Sequence, residues 1–279
     1  MKRPRAPSRR SIAFFILTLA ALVATGCGDD DTTLASAAQS VGLADAPPLP
    51  AEGVDIPCDL SQNTPCTSAR VRDLLDRLLP QLAERPGSVI RLWVVGADVG
   101  RVQLLAEVRV PESPKQKKRK KSAAQSWAKE TEQLFLKLLE PYATQEPTRR
   151  SPLFEAITKV GLAGIPNVAH RRMYILSDGL EYSGYANFES AEIPTATELI
   201  PVLHHDRVLT PGVLKDTDVA FIFNDVSRLP SGRGKSSVAR MVAITDAWDR
   251  LLREAGATSV SFSAGLPPLD AVPTKGGPK

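Results

Sequence analysis

Signature motifs for catalysis are missing from this 279-residue chain. It has no GxSxG nucleophile elbow and no HExxH zinc helix. The three cysteines, Cys27, Cys58 and Cys66, form no CxxC pair, and the three histidines lie far from them in sequence. A zinc site and a Cys–His catalytic pair are therefore not expected. His204 and His205 are read as surface or helix-end residues. The segment Ser231–Ser237, SGRGKSS, fails as a phosphate loop, because GxxxxGK[ST] needs glycine where Leu229 stands. It is read as a flexible basic loop. No internal repeat is present. The expectation is a protein that is not an enzyme.

Basic charge is also scarcer than the formal +4 suggests. Residues 1–26 carry Lys2, Arg3, Arg5, Arg9 and Arg10 and no acidic residue. Removing those five from the 35 Lys and Arg leaves 30 against 31 Asp and Glu. Six of the 30 sit in Lys115–Lys121, KQKKRKK, so the rest of the chain is acidic. No nucleic-acid partner is expected of such a chain. The basic run repels itself and stays solvated, which makes 112–122 an exposed loop, able to meet anionic headgroups or an acidic partner.

Long apolar runs are likewise rare. Ser11–Gly26 is short for a membrane span and follows a basic stretch, the pattern of a secretory signal peptide over residues 1–26. It ends in Ala24-Thr25-Gly26-Cys27, which resembles the lipobox of bacterial lipoproteins. That resemblance implies lipidation at Cys27 and anchoring to the cell envelope, by default the outer membrane facing the periplasm. Residues 27–52, small, polar and broken by proline, read as a flexible tether. In an oxidising periplasm Cys58 and Cys66 are expected to form a disulfide, provided their Cα atoms lie within about 7 Å.

What remains, 53–265, reads as one domain of alternating strands and helices. Strands are expected at Val54–Cys58, Ser88–Gly96, Arg101–Pro111, His170–Ser177, Asp218–Phe223 and Ser259–Ala264. Val71, Leu74, Leu75, Leu78, Leu79 and Leu82 recur at helical spacing after a cap at Thr67 or Ser68, with Pro80 kinking or ending that helix. A second helix over Ser122–Ala143 carries Trp127, Leu134, Phe135, Leu138, Leu139 and Tyr142 on one stripe. Pro152–Leu162 follows, with Ser151 and Pro152 suited to N-cap and N1. A helix over Thr195–His204 is interrupted at Pro201. The last, Val238–Ala255, turns Val238, Met241, Val242, Ile244, Trp248, Leu251 and Leu252 inward and stops at Gly256. Residues 266–279 are a Pro/Gly tail. Alternation of this kind predicts a doubly wound α/β fold, with a mostly parallel six-stranded sheet and one antiparallel edge strand.

The stretch Val54–Asn63, VDIPCDLSQN, carries the functional signal. Asp59 closes a strand, and in extended chain Asp59, Ser61 and Asn63 point the same way, offering a carboxylate, a hydroxyl and an amide oxygen. Such a group also describes an ordinary polar turn. With Ser151 in RRSPLFEAI and Asp178 in RRMYILSDGLE, the set resembles the metal-ion-dependent adhesion site of the von Willebrand factor A family. Asn63 and Ser151 depart from that family's serine and threonine. The resemblance implies strand order 3-2-1-4-5-6. It also implies Mg²⁺ or Mn²⁺ held by Asp59, Ser61, Asn63, Ser151 and Asp178, and a protein partner offering a carboxylate. Glu181, three residues after Asp178, is read as either a support to the site or a solvent-exposed residue. Two alternatives stand beside this: a metal-free structural lipoprotein of an envelope complex, and a Mg²⁺-dependent phosphohydrolase with Asp59 as nucleophile. Haloacid-dehalogenase-like phosphatases place an aspartate two residues later, where Ser61 stands, so the proton donor is missing.

Overall fold

The computed structural model describes residues 49–61, 64, 66–112, 117–190, 192–223 and 237–263. The signal peptide, Cys27, most of the tether, Asn63, the basic loop 231–236 and the tail from 264 lie outside the described residues. No described helix is long and apolar enough to cross a membrane.

Among the described residues six strands form one sheet: β1 (Glu52–Asp59), β2 (Val89–Val95), β3 (Gln103–Arg109), β4 (His170–Leu176), β5 (Thr217–Ile222) and β6 (Ser259–Ser263). Their order is β3-β2-β1-β4-β5-β6, and only the β2–β3 pairing is antiparallel. The fold is the doubly wound α/β sheet expected from the alternation of elements. β1 sits at its centre with all eight residues buried, although Pro57 has no amide to donate. The pairing with β4 lapses at Ile56 and Pro57 and resumes at Cys58↔Leu176.

Alternation along each strand sends side chains to two cores. Val54, Ile56 and Cys58 face α1 (Ser68–Ala83) and α2 (Lys117–Ala143). Met173, Ile175, Val219 and Phe221 face α3 (Leu153–Leu162), α4 (Ala196–His205) and α5 (Ser237–Glu254). All six apolar residues expected to bury on α1 do so, and Thr67 caps it by accepting from the Arg70 amide. Trp248 is fully buried among Phe154, Phe188 and Phe221.

Several boundaries differ from the sequence reading. The basic run is not all loop: from Lys117 onward it is the first turn of α2. A local charge pattern signals solvation, and a helix satisfies that as well as a loop does. Pro80, Pro141 and Pro201 lie inside helices that run on past them, because packed neighbours outweigh one lost backbone bond. On α2 the buried row is Trp127, Thr131, Phe135 and Leu139, spaced by four, so Leu134 falls outside it and is exposed. Val238 and Val242 are likewise exposed on α5, one face away from Ile244, Trp248, Leu251 and Leu252. Ser151 is not the cap of α3. Pro152 occupies that position with no side-chain bond.

Candidate functional site

β1 and β4 are neighbours, yet the chain leaves them in opposite directions. From β1 it crosses to β2 on one side, and from β4 to β5 on the other. The crevice beyond their carboxyl ends is the switch point at which open α/β sheets hold ligands. Asp59 is the last residue of β1, and Ser177 and Asp178 follow β4 directly.

Asp59 is buried, and its carboxylate gathers three loops. Its Oδ1 accepts from the Ser61 amide at 2.9 Å. Its Oδ2 accepts from the hydroxyls of Ser61 at 3.1 Å, Ser151 at 2.8 Å and Ser177 at 2.7 Å. Thr64 Oγ1 donates to the Asp59 carbonyl at 2.6 Å and turns the chain away from β1. The disulfide Cys58–Cys66, with Cα atoms 5.2 Å apart, closes the loop that bears Asp59 and Ser61.

Each serine hydroxyl has one proton, and here it is spent on Asp59, which leaves the oxygen lone pairs to accept or coordinate. Ser177 uses them to accept from the Gly179 amide at 3.0 Å. Ser61 and Ser151 instead line a cavity of about 340 Å³ together with Asp178, Arg149, Tyr182 and Glu189. Asp178 Oδ1 accepts from the Leu180 amide at 3.0 Å. Gly179 has φ +72°, and a Cβ there would meet the Phe223 ring at 2.6 Å, so only glycine makes the turn that follows Asp178.

Burial is the largest influence on both aspartates. It raises Asp59 despite the opposing bonds from the Ser61 amide and the three hydroxyls. It raises Asp178 to about 7, with the nearby charge of Asp59 adding to the shift. Two carboxyls that resist ionising together, beside two neutral oxygens, form an oxygen-only donor set suited to a hard dication. The residues present therefore fit Mg²⁺ or Mn²⁺, with Ser61, Ser151 and Asp178 facing the cavity and Asp59 behind them. Among the described residues no three His, Cys, Asp or Glu side chains gather, so such a site would depend on its hydroxyls.

The sequence reading missed one residue of this pole and left a second open. Ser177 was assigned only to the strand, although its parity was informative: Ile175 faces α3, so Ser177 must face the side on which Asp59 lies. Glu181 is fully buried, which removes the solvent-exposed reading. Its Oε2 accepts from the Phe154 amide at 2.9 Å at the start of α3. Nothing local in the sequence announces that contact, which spans 27 positions.

No family model matches this chain. No curated protein matches it either. Among solved structures, the PilB minor pilin from Streptococcus sanguinis is similar over 80% of this chain at 10% identity, with a TM-score of 0.38. The similar region covers 59% of that pilin, so the chain spans less than two thirds of its length.

Proposed function

We propose that this protein is an envelope lipoprotein whose domain, similar to von Willebrand factor A domains, recognises a partner protein at a Mg²⁺- or Mn²⁺-dependent pole. The observation that carries the reading is the convergence of Ser61, Ser151 and Ser177 hydroxyls, from three separate loops, on one oxygen of Asp59. A turn that merely satisfied its own backbone would need no hydroxyl from 92 and 118 positions away.

In this reading Ser61, Ser151 and Asp178 give oxygens to the cation, with Asn63 expected to add another. Asp59 orients the hydroxyls and supplies charge, and Ser177 fixes Asp59. The bound cation supplies a positive centre for a carboxylate of the partner. Arg149, at the cavity wall, adds positive charge to the approach of such a carboxylate. The role is recognition, not turnover. The disulfide fits an exported, oxidised protein, and the lipobox-like Cys27 provides the anchor. The basic residues 115–121 complete the reading as a contact for anionic headgroups.

The test is thermal unfolding of the full-length protein with chelator or with Mg²⁺ or Mn²⁺. Saturating cation is expected to raise the melting temperature, by about 2.7 kcal/mol of stabilisation at a hundredfold excess over Kd. Asp178→Asn keeps the bond from Leu180 but loses the charge, and is expected to abolish the shift. A wild-type protein indifferent to millimolar cation would overturn the reading.

A further inference from the structure

We infer that Glu181 is a positioning residue that locks the loop carrying Ser151 to the loop carrying Ser177 and Asp178, so that the pole behaves as one unit. The inference deepens the cation-site reading above, and only its cation-binding arm rests on it.

The reasoning begins with an unfilled cap. The first amides of α3 have no partners within the helix. The position that would ordinarily cap them holds Pro152, whose side chain cannot accept a hydrogen bond. Ser151, the next candidate, has committed its hydroxyl to Asp59. The acceptor comes instead from the β4 side: Glu181 reaches the Phe154 amide at 2.9 Å. The two serve different partners: Glu181 caps the helix, and Ser151 is left for the site.

Backbone bonds tie the same two loops beside this contact. Tyr182 donates to the Ser151 carbonyl at 3.0 Å, and Ser151 donates to the Tyr182 carbonyl at 3.3 Å. The Phe188 amide donates to the Glu181 carbonyl at 2.8 Å, and Trp248 Nε1 donates to the Gly179 carbonyl at 2.9 Å. The Glu181 carboxyl crosses from the second loop to the first turn of α3. It is also fully buried, and Ser183 and the Leu153 amide engage its carboxyl beside the Phe154 amide. Burying a carboxyl group away from water is costly even when it is hydrogen-bonded. Its placement between two loops that share Asp59 gives that cost a role.

The experiment is hydrogen exchange on full-length protein, wild type against Glu181→Gln and Glu181→Leu, in chelator. Gln keeps an oxygen for the Phe154 amide and Leu does not. Glu181→Leu is expected to raise exchange about five- to thirtyfold in both 151–156 and 177–183, leaving α1 unchanged. Glu181→Gln is expected to restore most of the protection in both segments. Loosening of one segment without the other overturns the inference, as does a uniform rise across the protein or no change at all. A second arm titrates Mn²⁺ calorimetrically: Glu181→Leu is expected to weaken binding by a similar factor and Glu181→Gln to keep it. If wild type binds no Mn²⁺, the cation reading fails while the exchange arm still decides the role of Glu181. Mn²⁺ binding by Glu181→Leu equal to wild type overturns the positioning role.

Discussion

Asp178 shows how much of a residue's chemistry its surroundings decide. In the sequence it is half of an Asp-Gly turn pair. In the fold it sits at the mouth of a cavity beside a buried Asp59, and burial followed by that charge carries its carboxyl to about 7. Because the folded state holds this proton more tightly than the unfolded chain does, stability falls as pH rises from about 4 to about 7, then levels. Raised values for Asp59 and Glu181 act with the same sign. In chelator, Asp178→Asn is therefore expected to flatten the loss of stability between pH 5 and 8. The difference should be on the order of 1–2 kcal/mol once water at the cavity mouth is allowed for. Urea unfolding of the two proteins at both pH values measures it. An identical pH slope in the variant would place the titration elsewhere.

At the scale of elements, the loop after Asp59 is fixed by what flanks it more than by its own sequence. β1 is held on both sides by parallel strands, so the direction in which Asp59 leaves the sheet is set before the loop begins. Cys58 then ties the strand end to Cys66, just before α1. Breaking that link with Cys58→Ser and Cys66→Ser together is expected to cost about 2–3 kcal/mol, the scale for a loop this short. A lower urea midpoint with an unchanged slope would report it. The pairing was legible because the two cysteines flank one short loop and an exported, oxidised chain was expected. The helical start of the basic run was not, since like charges in a row disfavour neighbours of any shape and do not choose between loop and helix. The exposure of Val238 and Val242 was missed for a related reason: a helix rich in apolar residues offers more than one stripe, and only the sheet decides which one is buried.

Across the whole molecule, the sheet is pinned on its α3 side by a buried charge cluster. Asp55 on β1 accepts from Arg91 on β2 at 2.7 Å and from Arg171 on β4 at 2.8 Å, and Trp93 Nε1 adds a bond at 2.9 Å. Arg91 and Arg171 also donate to the carbonyls of Gly164 and Gly161, at the end of α3. Three strands and the helix that follows Ser151 thus share one carboxylate. Asp55→Ala would strand two buried guanidiniums, and stability is expected to fall by about 3–5 kcal/mol. Chemical denaturation reads this directly. Replacing all three, with Asp55→Leu, Arg91→Met and Arg171→Met, is expected to recover most of it, because the loss comes from unpaired charge. If the triple variant is as unstable as Asp55→Ala, the cluster is not an electrostatic pin.

By itself the sequence determined the elements and their alternation, because periods of 2 and 3.6 and their apolar faces are local and repeat many times, whereas the order of the sheet was expected only from a family resemblance. It also placed Asp59, Ser61 and Asp178 at strand ends, where parity and turn chemistry are readable. Only the tertiary structure decided that Ser151 turns its hydroxyl to Asp59, that Glu181 takes over the cap, that Ser177 belongs to the same carboxylate, and that Asp55 meets two arginines. Each of those contacts joins residues from 27 to 118 positions apart. A hydrogen bond across such a span leaves no periodic trace in the chain. It exists only once the sheet has brought its ends together.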